Sequence, residues 1–488
     1  MSPSKPNVSR TAFLFLIPGA VLGWLLFSLR VNSPALPAVI MLSLLTLWLC
    51  ALLRNGIRDE DQWILLILAA GFMLKILYCL YTSVYTRQHD VHNFADDTDG
   101  HAGYIKYLYY QLRLPDFDPR EQFQFYHPPF YHIIAALWAH LNTLIGLPIE
   151  SAWENLQVLS LFWTGCCMIL MVQFLRELGL SGRGMLIALL VFCLHPYFVF
   201  LSGSVNNDTL SITFMLLVML YTLRWAKQPT MKNIVLLALW IGLGMSTKLS
   251  VAYLAPAAAL VFLYKLIKTK DWVRTLLPQF AVFAVICIPL GIWWYVRCYV
   301  RFGLPIGYVP ALSATSSQYL GGKYSVLQRF FDWSGESFRY LYISYGKEGA
   351  KYLEHNIPLA FLKSAVFEEQ TLIRYNPLVK PVSAALFAGQ AGLVICSVIG
   401  MIRGIRRQDV LTRLALIPTY ALVMLSGIAF CFGYPHVCTQ SFRYIVPTLF
   451  IGIAGLAYFW ERKRTRIPDF FVILFCISSF AQFMLLGL

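Results

Sequence analysis

Charge is scarce in this sequence. Only 13% of its residues are charged, and only 24 of its 488 residues are acidic. A soluble domain carries about 25% charged residues, so a single water-soluble core is excluded; the mean hydropathy of +0.63 agrees. Strand-like alternation is missing, which removes the membrane β-barrel. No CxxC pair and no zinc spacing occurs among the 11 cysteines, which speaks against a disulfide framework or a zinc module. Most cysteines lie in or beside apolar runs, where Cys is a small hydrophobe; Cys298, Cys431 and Cys438 leave room for one bridge. What the chain does have is repeated apolar runs of roughly 18–22 residues, long enough to cross about 30 Å of hydrocarbon as helix. Lipid offers backbone N–H and C=O groups no partners, so such runs must be helices. The expected fold is all-α, a polytopic transmembrane bundle.

The net charge of +15 invites a nucleic-acid reading, but the basic residues sit in short clusters between apolar runs. Arg176 with Arg183, Lys265 to Arg274, Arg403 to Arg407 and Arg462 to Arg466 form the positive-inside pattern of cytoplasmic loops. No nucleic-acid partner is expected. Lys5 and Arg10 precede an apolar stretch without a convincing cleavage site, which reads as an uncleaved signal anchor. Candidate spans cover 11–29, 36–53, 62–81, 128–146, 154–175, 184–203, 208–226, 232–249, 250–267, 277–296, 384–402, 411–431, 444–460 and 468–486. Counting crossings from both ends puts the polar loops on one side only if 128–146 is re-entrant, oblique or interfacial. That leaves about 13 true spans. The chain divides into a transmembrane module 1–297 with the acidic external loop 82–127, a second external loop 298–383, and C-terminal helices 384–488.

Chemistry-bearing residues concentrate on the non-cytoplasmic side. Asp96, Asp97 and Asp99 crowd together ahead of His101 and Tyr104. Carboxylates this close repel, which raises a pKa or recruits a cation between them; a general base needs such tuning. A solvated loop with an Asx turn is the plainer reading. His127-Pro128-Pro129 then opens an apolar run, its prolines fixing the entry direction, with His127 as an Asp partner, a ligand or a headgroup anchor. Asn206, Asn207 and Asp208 occupy a short outer turn, where Asx residues also serve as helix caps. Lys248 has no charge near it in sequence, so it must snorkel outward or meet an anion. Arg297, Arg301 and Arg443, the last followed by Tyr444, lie on the side that topology does not favour for arginine, and arginine grips phosphate oxygens in pairs. Lys363, Glu368 and Glu369 lie on an amphipathic helix of the second loop, which also reads as a solvated face.

In order along the chain, DDTDGHAGYIKYL, YHPPFYHIIAAL, NNDTLSITF, GLGMSTKLS, WWYVRCYVRFGLP and FRYIVP resemble signatures of the GT-C superfamily of polyprenyl- or dolichyl-phosphate-sugar glycosyltransferases. The branch they resemble contains the protein O-mannosyltransferases and the lipid A aminoarabinose transferases. The resemblance implies a catalytic Asp97 with Asp99 close behind. The family often has Glu where this chain has Thr98, and Asn where it has Cys298. It also implies transfer from a polyprenyl-phosphate sugar to a lipid, glycan or protein hydroxyl by inverting displacement. Lys248, Arg297, Arg301 and Arg443 would hold the donor phosphate; Asp96, His101, Tyr104, His127, Asn207, Asp208, Glu369 and Tyr444 would line the pocket. No cofactor is required, though a divalent metal is compatible with the chemistry. The compact loops suit a bacterial inner membrane with the site facing outward. A transporter or flippase of a lipid-linked or polar solute, and a lipid-linked-glycan polymerase or ligase, are the alternatives.

Overall fold

The structure, a computed structural model, describes residues 8–30, 43, 59–84, 94–96, 98–346, 352–368, 377–461 and 466–486. Among them the regular structure is helical, and the one extended pairing is an isolated bridge between Tyr319 and His436. The main helices are α1 (Val8–Arg30), α2 (Glu60–Tyr81), α3 (Gly100–Gln111), α4 (Phe130–Leu144), α5 (Ile149–Glu154), α6 (Gln157–Glu177), α7 (Gly182–Cys193), α8 (Pro196–Gly203), α9 (Asp208–Lys227) and α10 (Met231–Met245). They continue as α11 (Ala255–Lys268), α12 (Leu277–Phe302), α13 (Ile357–Phe367), α14 (Val379–Ile405), α15 (Val410–Gly433), α16 (Pro447–Glu461) and α17 (Ile467–Leu486). The protein is a multi-pass membrane protein of all-α class.

Nine helical stretches among the described residues are long and apolar enough to cross a membrane, or ten if the bent pair α7–α8 is one span. This differs from the expected thirteen or so for a physical reason. The candidate at 36–53 lies almost wholly outside the described residues, and two others, α10 and α16, fold as helices of 15 residues, as does α4, the segment already set apart as re-entrant, oblique or interfacial. Fifteen residues make roughly 22 Å of helix, short of the ~30 Å core. Helix α4 packs on α3 and α5, so it belongs to the layer built by the acidic loop.

The C-terminal helices pack most closely. A Cβ on Gly400 of α14 would overlap the Gly455 carbonyl of α16; small residues at such crossings let backbones touch, which replaces the missing hydrophobic drive in lipid. Between α7 and α8 the axis bends by 43° at His195-Pro196. Lys75 of α2, fully buried, donates to the Cys193 carbonyl at 2.7 Å. An ammonium there meets the negative end of α7, which stabilises the break.

The first loop is anchored at its start by Glu154, which accepts from the Val84 N–H at 2.9 Å and from the Ser83 hydroxyl. The second loop is stitched shut. Lys363 and Glu354 pair at 2.6 Å with side chains 1% and 0% exposed. The Tyr352 hydroxyl donates to Glu354 at 2.9 Å, and Lys363 also donates to the Ser337 carbonyl at 2.8 Å. Arg329, buried, donates to Cys431 O and Gln440 Oε1, both at 3.0 Å. Among the described residues the cysteines are free, Cys298, Cys431 and Cys438 included.

Candidate active site

The acidic run sits against the start of α3. Asp99 precedes the helix and its carbonyl accepts from Gly103 N–H at 2.9 Å, while Gly100 N–H donates to Phe123 O at 3.0 Å. Gly103 is obligatory: a Cβ there would overlap the Thr98 carbonyl group. The loop carrying the carboxylates is thus pressed onto α3. Asp96 is exposed and Asp99 half-buried. Asp97 and Glu369 lie outside the described residues.

From α3 a stack of rings runs inward. His101 is buried and its Nδ1 stands 2.9 Å from His132 Nε2. The His101 ring also stacks over His127 at 5.8 Å. Tyr104, fully buried, stacks on Phe125 at 4.4 Å and on His132 at 4.2 Å. It is a wall of this core rather than a lining of the cavity described next. Burial, and then the neighbouring His101, push His132 well below the usual imidazole range, so the His132 ring is held neutral. Burial pushes the Tyr104 phenol up.

His127 opens the stack onto a cavity of about 280 Å³ whose lining includes Tyr126, Lys248, Tyr253, Tyr308, Arg443 and Tyr444. The cations come from far apart in sequence: Lys248 ends the α10 turn, and Arg443 lies in a short 3₁₀ turn before α16. Lys248 Nζ pairs with Asp208 at the start of α9, with side chains 13% and 7% exposed. Arg443 and His101 also act electrostatically on Asp208. Arg443 donates to the Tyr444 hydroxyl at 2.8 Å. Asn207 donates to the Thr247 carbonyl at 3.2 Å and its Oδ1 is buried without a partner among the described residues. The local cap at this turn comes instead from Asn206, whose Oδ1 accepts from Asp208 N–H at 3.1 Å.

The two remaining arginines sit elsewhere. Arg297, half-buried, donates to the Pro115 carbonyl and stacks over Trp294 at 4.9 Å. Arg120 reaches the other way, to the Phe302 carbonyl at 2.8 Å, and pairs with Asp118 at 2.5 Å. Its hydrogen bond to Asp118, outweighing slight burial, holds that carboxyl below the usual range. The end of α12 and the acidic loop are therefore clamped together by arginines. Arg301 is exposed on the last turn of α12 and does not line the cavity.

Sequence reasoning placed Asp208 in a helix turn and in the pocket, but did not pair it with Lys248, for which it had already demanded an anion. Apart from Tyr444, it passed over the tyrosines that line the cavity, which carry no sequence signal beyond their frequency. No group of three or more His, Cys, Asp or Glu among the described residues is arranged to hold a metal.

Residues 126–294 match the family model described as dolichyl-phosphate-mannose-protein mannosyltransferase. No curated protein matches the chain in sequence. Among solved structures, the archaeal oligosaccharyltransferase AglB from Archaeoglobus fulgidus, determined with an inhibitory peptide and a dolichol-phosphate, is similar at a TM-score of 0.47 and 13% identity. The match covers 87% of this chain and 55% of AglB. ArnT from Cupriavidus metallidurans in the apo state gives a TM-score of 0.36 at 15% identity, over 82% of this chain and 77% of ArnT. The chain thus spans about half the length of the oligosaccharyltransferase it resembles. The matched segment begins one residue before His127 and takes in Asp208 and Lys248, so the similarity to the dolichyl-phosphate-mannose-protein mannosyltransferase family model runs from the His-Pro-Pro turn to α12.

Proposed function

We propose that the protein is a membrane glycosyltransferase that moves a sugar from a polyprenyl-phosphate donor to a hydroxyl of a lipid, glycan or protein acceptor. The observation that carries this reading is the meeting of Lys248 and Arg443, with Tyr444 and His127, in one cavity beside the acidic loop. A phosphate needs such a pair of cations when its bond to sugar breaks. The family match argues against the transporter alternative, as does the gathering of these charges at one cavity.

In the proposed reaction a carboxylate, Asp97 or Asp99, takes the proton of the acceptor hydroxyl. The acceptor oxygen bonds to the anomeric carbon while the bond from that carbon to the phosphate oxygen breaks, and the phosphate leaves with the electron pair. A single displacement inverts the anomeric centre, as in inverting hydrolases. Lys248, oriented by Asp208, and Arg443, oriented by the Tyr444 hydroxyl, receive the leaving charge. Arg297 acts as a positioning residue that holds the acidic loop over the cavity through Pro115; Arg301 is left to steer the phosphate headgroup from outside. A divalent ion between carboxylate and phosphate is compatible with this scheme, but no step needs it. The basic loops support a non-cytoplasmic site, and a bacterial inner membrane is the setting proposed.

The test is release of polyprenyl phosphate by purified protein given a polyprenyl-phosphate sugar and lipid or glycan acceptors. Replacing the true base, by Asp97→Asn or Asp99→Asn, should lower turnover by about 10²–10⁴-fold. Undiminished release in both variants would remove the assignment of the base. Solute movement without turnover would restore the transporter.

A further inference from the structure

Away from the reaction cavity, a second cavity of about 280 Å³ lies between α13, α14, α15 and α16 and reaches the α7–α8 break. One stripe of α14, from Gln390 to Met401, lines it, which is roughly 16 Å of helix. Its surface is mostly apolar, with Val394 and Met424 among the walls, and Val398 is 39% exposed at its mouth. Five polar side chains nevertheless line it: Ser397 and Thr448, whose hydroxyls donate to the Gly452 and Ile445 carbonyls, and His195, Gln390 and Tyr420.

The histidine sets this slot apart from an ordinary crevice between helices. His195 is 1% exposed, and neither ring nitrogen has a hydrogen-bond partner among the described residues. Its ring is fixed between Phe442 and Phe475, at 6.1 and 5.8 Å. An unsatisfied buried polar group costs about 1–3 kcal/mol, so its retention calls for a partner. Gln390, buried as well, makes no side-chain hydrogen bond among the described residues. His195, Gln390 and Tyr420 can each donate a hydrogen bond, so an oxygen atom in the slot would offer a partner to this donor set.

We infer that this slot is a binding site for a fatty-acyl lipid, with His195, Gln390 and Tyr420 donating to an oxygen that the acyl lipid carries, such as an ester or amide carbonyl or a chain hydroxyl. The length and apolar walls suit one hydrocarbon chain. The buried donors select against an isoprenoid tail, which has no oxygen along it. The inference stands apart from the sugar-transfer reading, yet it bears on the same region. Phe442 and Ile445 line the slot, whereas Arg443 and Tyr444 between them line the reaction cavity. A lipid held in the slot therefore sets the turn that presents Arg443.

The experiment uses the full chain in nanodiscs with a diacyl phosphatidylglycerol bearing a photoreactive diazirine on one acyl chain. Cross-links should map to the 390–401 stripe and to Tyr420 or Met424. Val394→Trp, which fills the slot, should lower that labelling by about tenfold, a loss of one hydrocarbon segment's burial. Unlabelled diester lipid should compete about fivefold better than its dialkyl-ether analogue, the worth of a hydrogen bond, and His195→Phe should erase that difference while keeping the ring packing. Labelling indifferent to Val394→Trp would overturn the inference. So would equal competition by ester and ether lipids, or displacement by polyprenyl phosphate as effective as by the diester. Should Val394→Trp fail to fold, the ester–ether comparison in wild type and His195→Phe decides alone.

Discussion

Two lysine–carboxylate pairs, one in each half of the molecule, show how alike a cavity-side and a sealed ion pair look in sequence and how differently they sit. Lys248–Asp208 and Lys363–Glu354 both join residues on separate segments. The first leaves Lys248 on a cavity wall, with Arg443 as a second cation close by. The second is sealed: Tyr352, Ser337 and the chain around Glu354 satisfy what the pair leaves over. A pair in a closed core is a device of shape, because its charges attract nothing further. A pair at a cavity with an excess of positive charge is a receptor for an anion. The difference is one of surroundings, and it teaches that a buried charge is read by what remains unsatisfied next to it.

The sharpest way to break the comparison is to remove one partner from each pair. Glu354→Gln leaves Lys363 as an uncompensated buried charge, a loss of about 3–5 kcal/mol. Thermal unfolding in detergent should show it, with turnover per folded molecule unchanged. Lys248→Met should do the reverse, lowering turnover by about 10²–10³-fold, as loss of one group that stabilises transition-state charge does, with a smaller shift in unfolding. If Lys248→Met unfolds the protein and spares turnover, the two pairs are of one kind and the cavity loses its claim to the phosphate. A finer test concerns the loop that carries the acids. Gly103→Ala forces Thr98 off α3, an overpacking cost of about 1–3 kcal/mol. Turnover should fall roughly in step, while binding of a polyprenyl phosphate without sugar should hold.

Much of this was legible beforehand. The all-α membrane class followed from hydropathy alone, and Lys248, Arg443, Tyr444 and His127, chosen as charges or rings at helix ends on one side, line a single cavity. Where reading failed, it failed for want of distance. The pairing of Asp208 with Lys248 was missed because the two lie 40 positions apart; Arg297 looked like a phosphate ligand because nothing in WWYVRCYV shows that the Pro115 carbonyl waits for it. Lys75 and His195 were missed although the rule that picked out Lys248 applies to both: a polar group inside an apolar run needs a partner, and His195-Pro196 inside such a run marks a break. The count of about thirteen spans is not reached among the described residues, because composition cannot separate a 15-residue helix such as α10 or α16 from one that crosses.

The smallest expected effect lies in acid, and it separates the two loops by window. His132 faces His101 and Tyr104 and is held neutral by burial, so its folded pKa is below the unfolded value of 6.5. Below pH 6.5 the unfolded chain takes up a proton that the folded chain refuses, so stability falls with pH, by at most about 1.4 kcal/mol per unit. In the second loop, Asp332 meets burial that would raise its pKa, but hydrogen bonds from Ser334 and His355 hold it below 3.8. Its contribution is complete above that value and is lost only as pH falls further. Between pH 7.5 and 5.5, then, acid should loosen the first loop while Asp332 contributes no change. His132→Phe should flatten the unfolding profile in that window, whereas Asp332→Asn should leave its slope as in wild type. A slope unaltered by His132→Phe would mean that His132 takes up its proton in the folded chain as readily as in the unfolded one, and would remove its assignment as a neutral ring in the first loop.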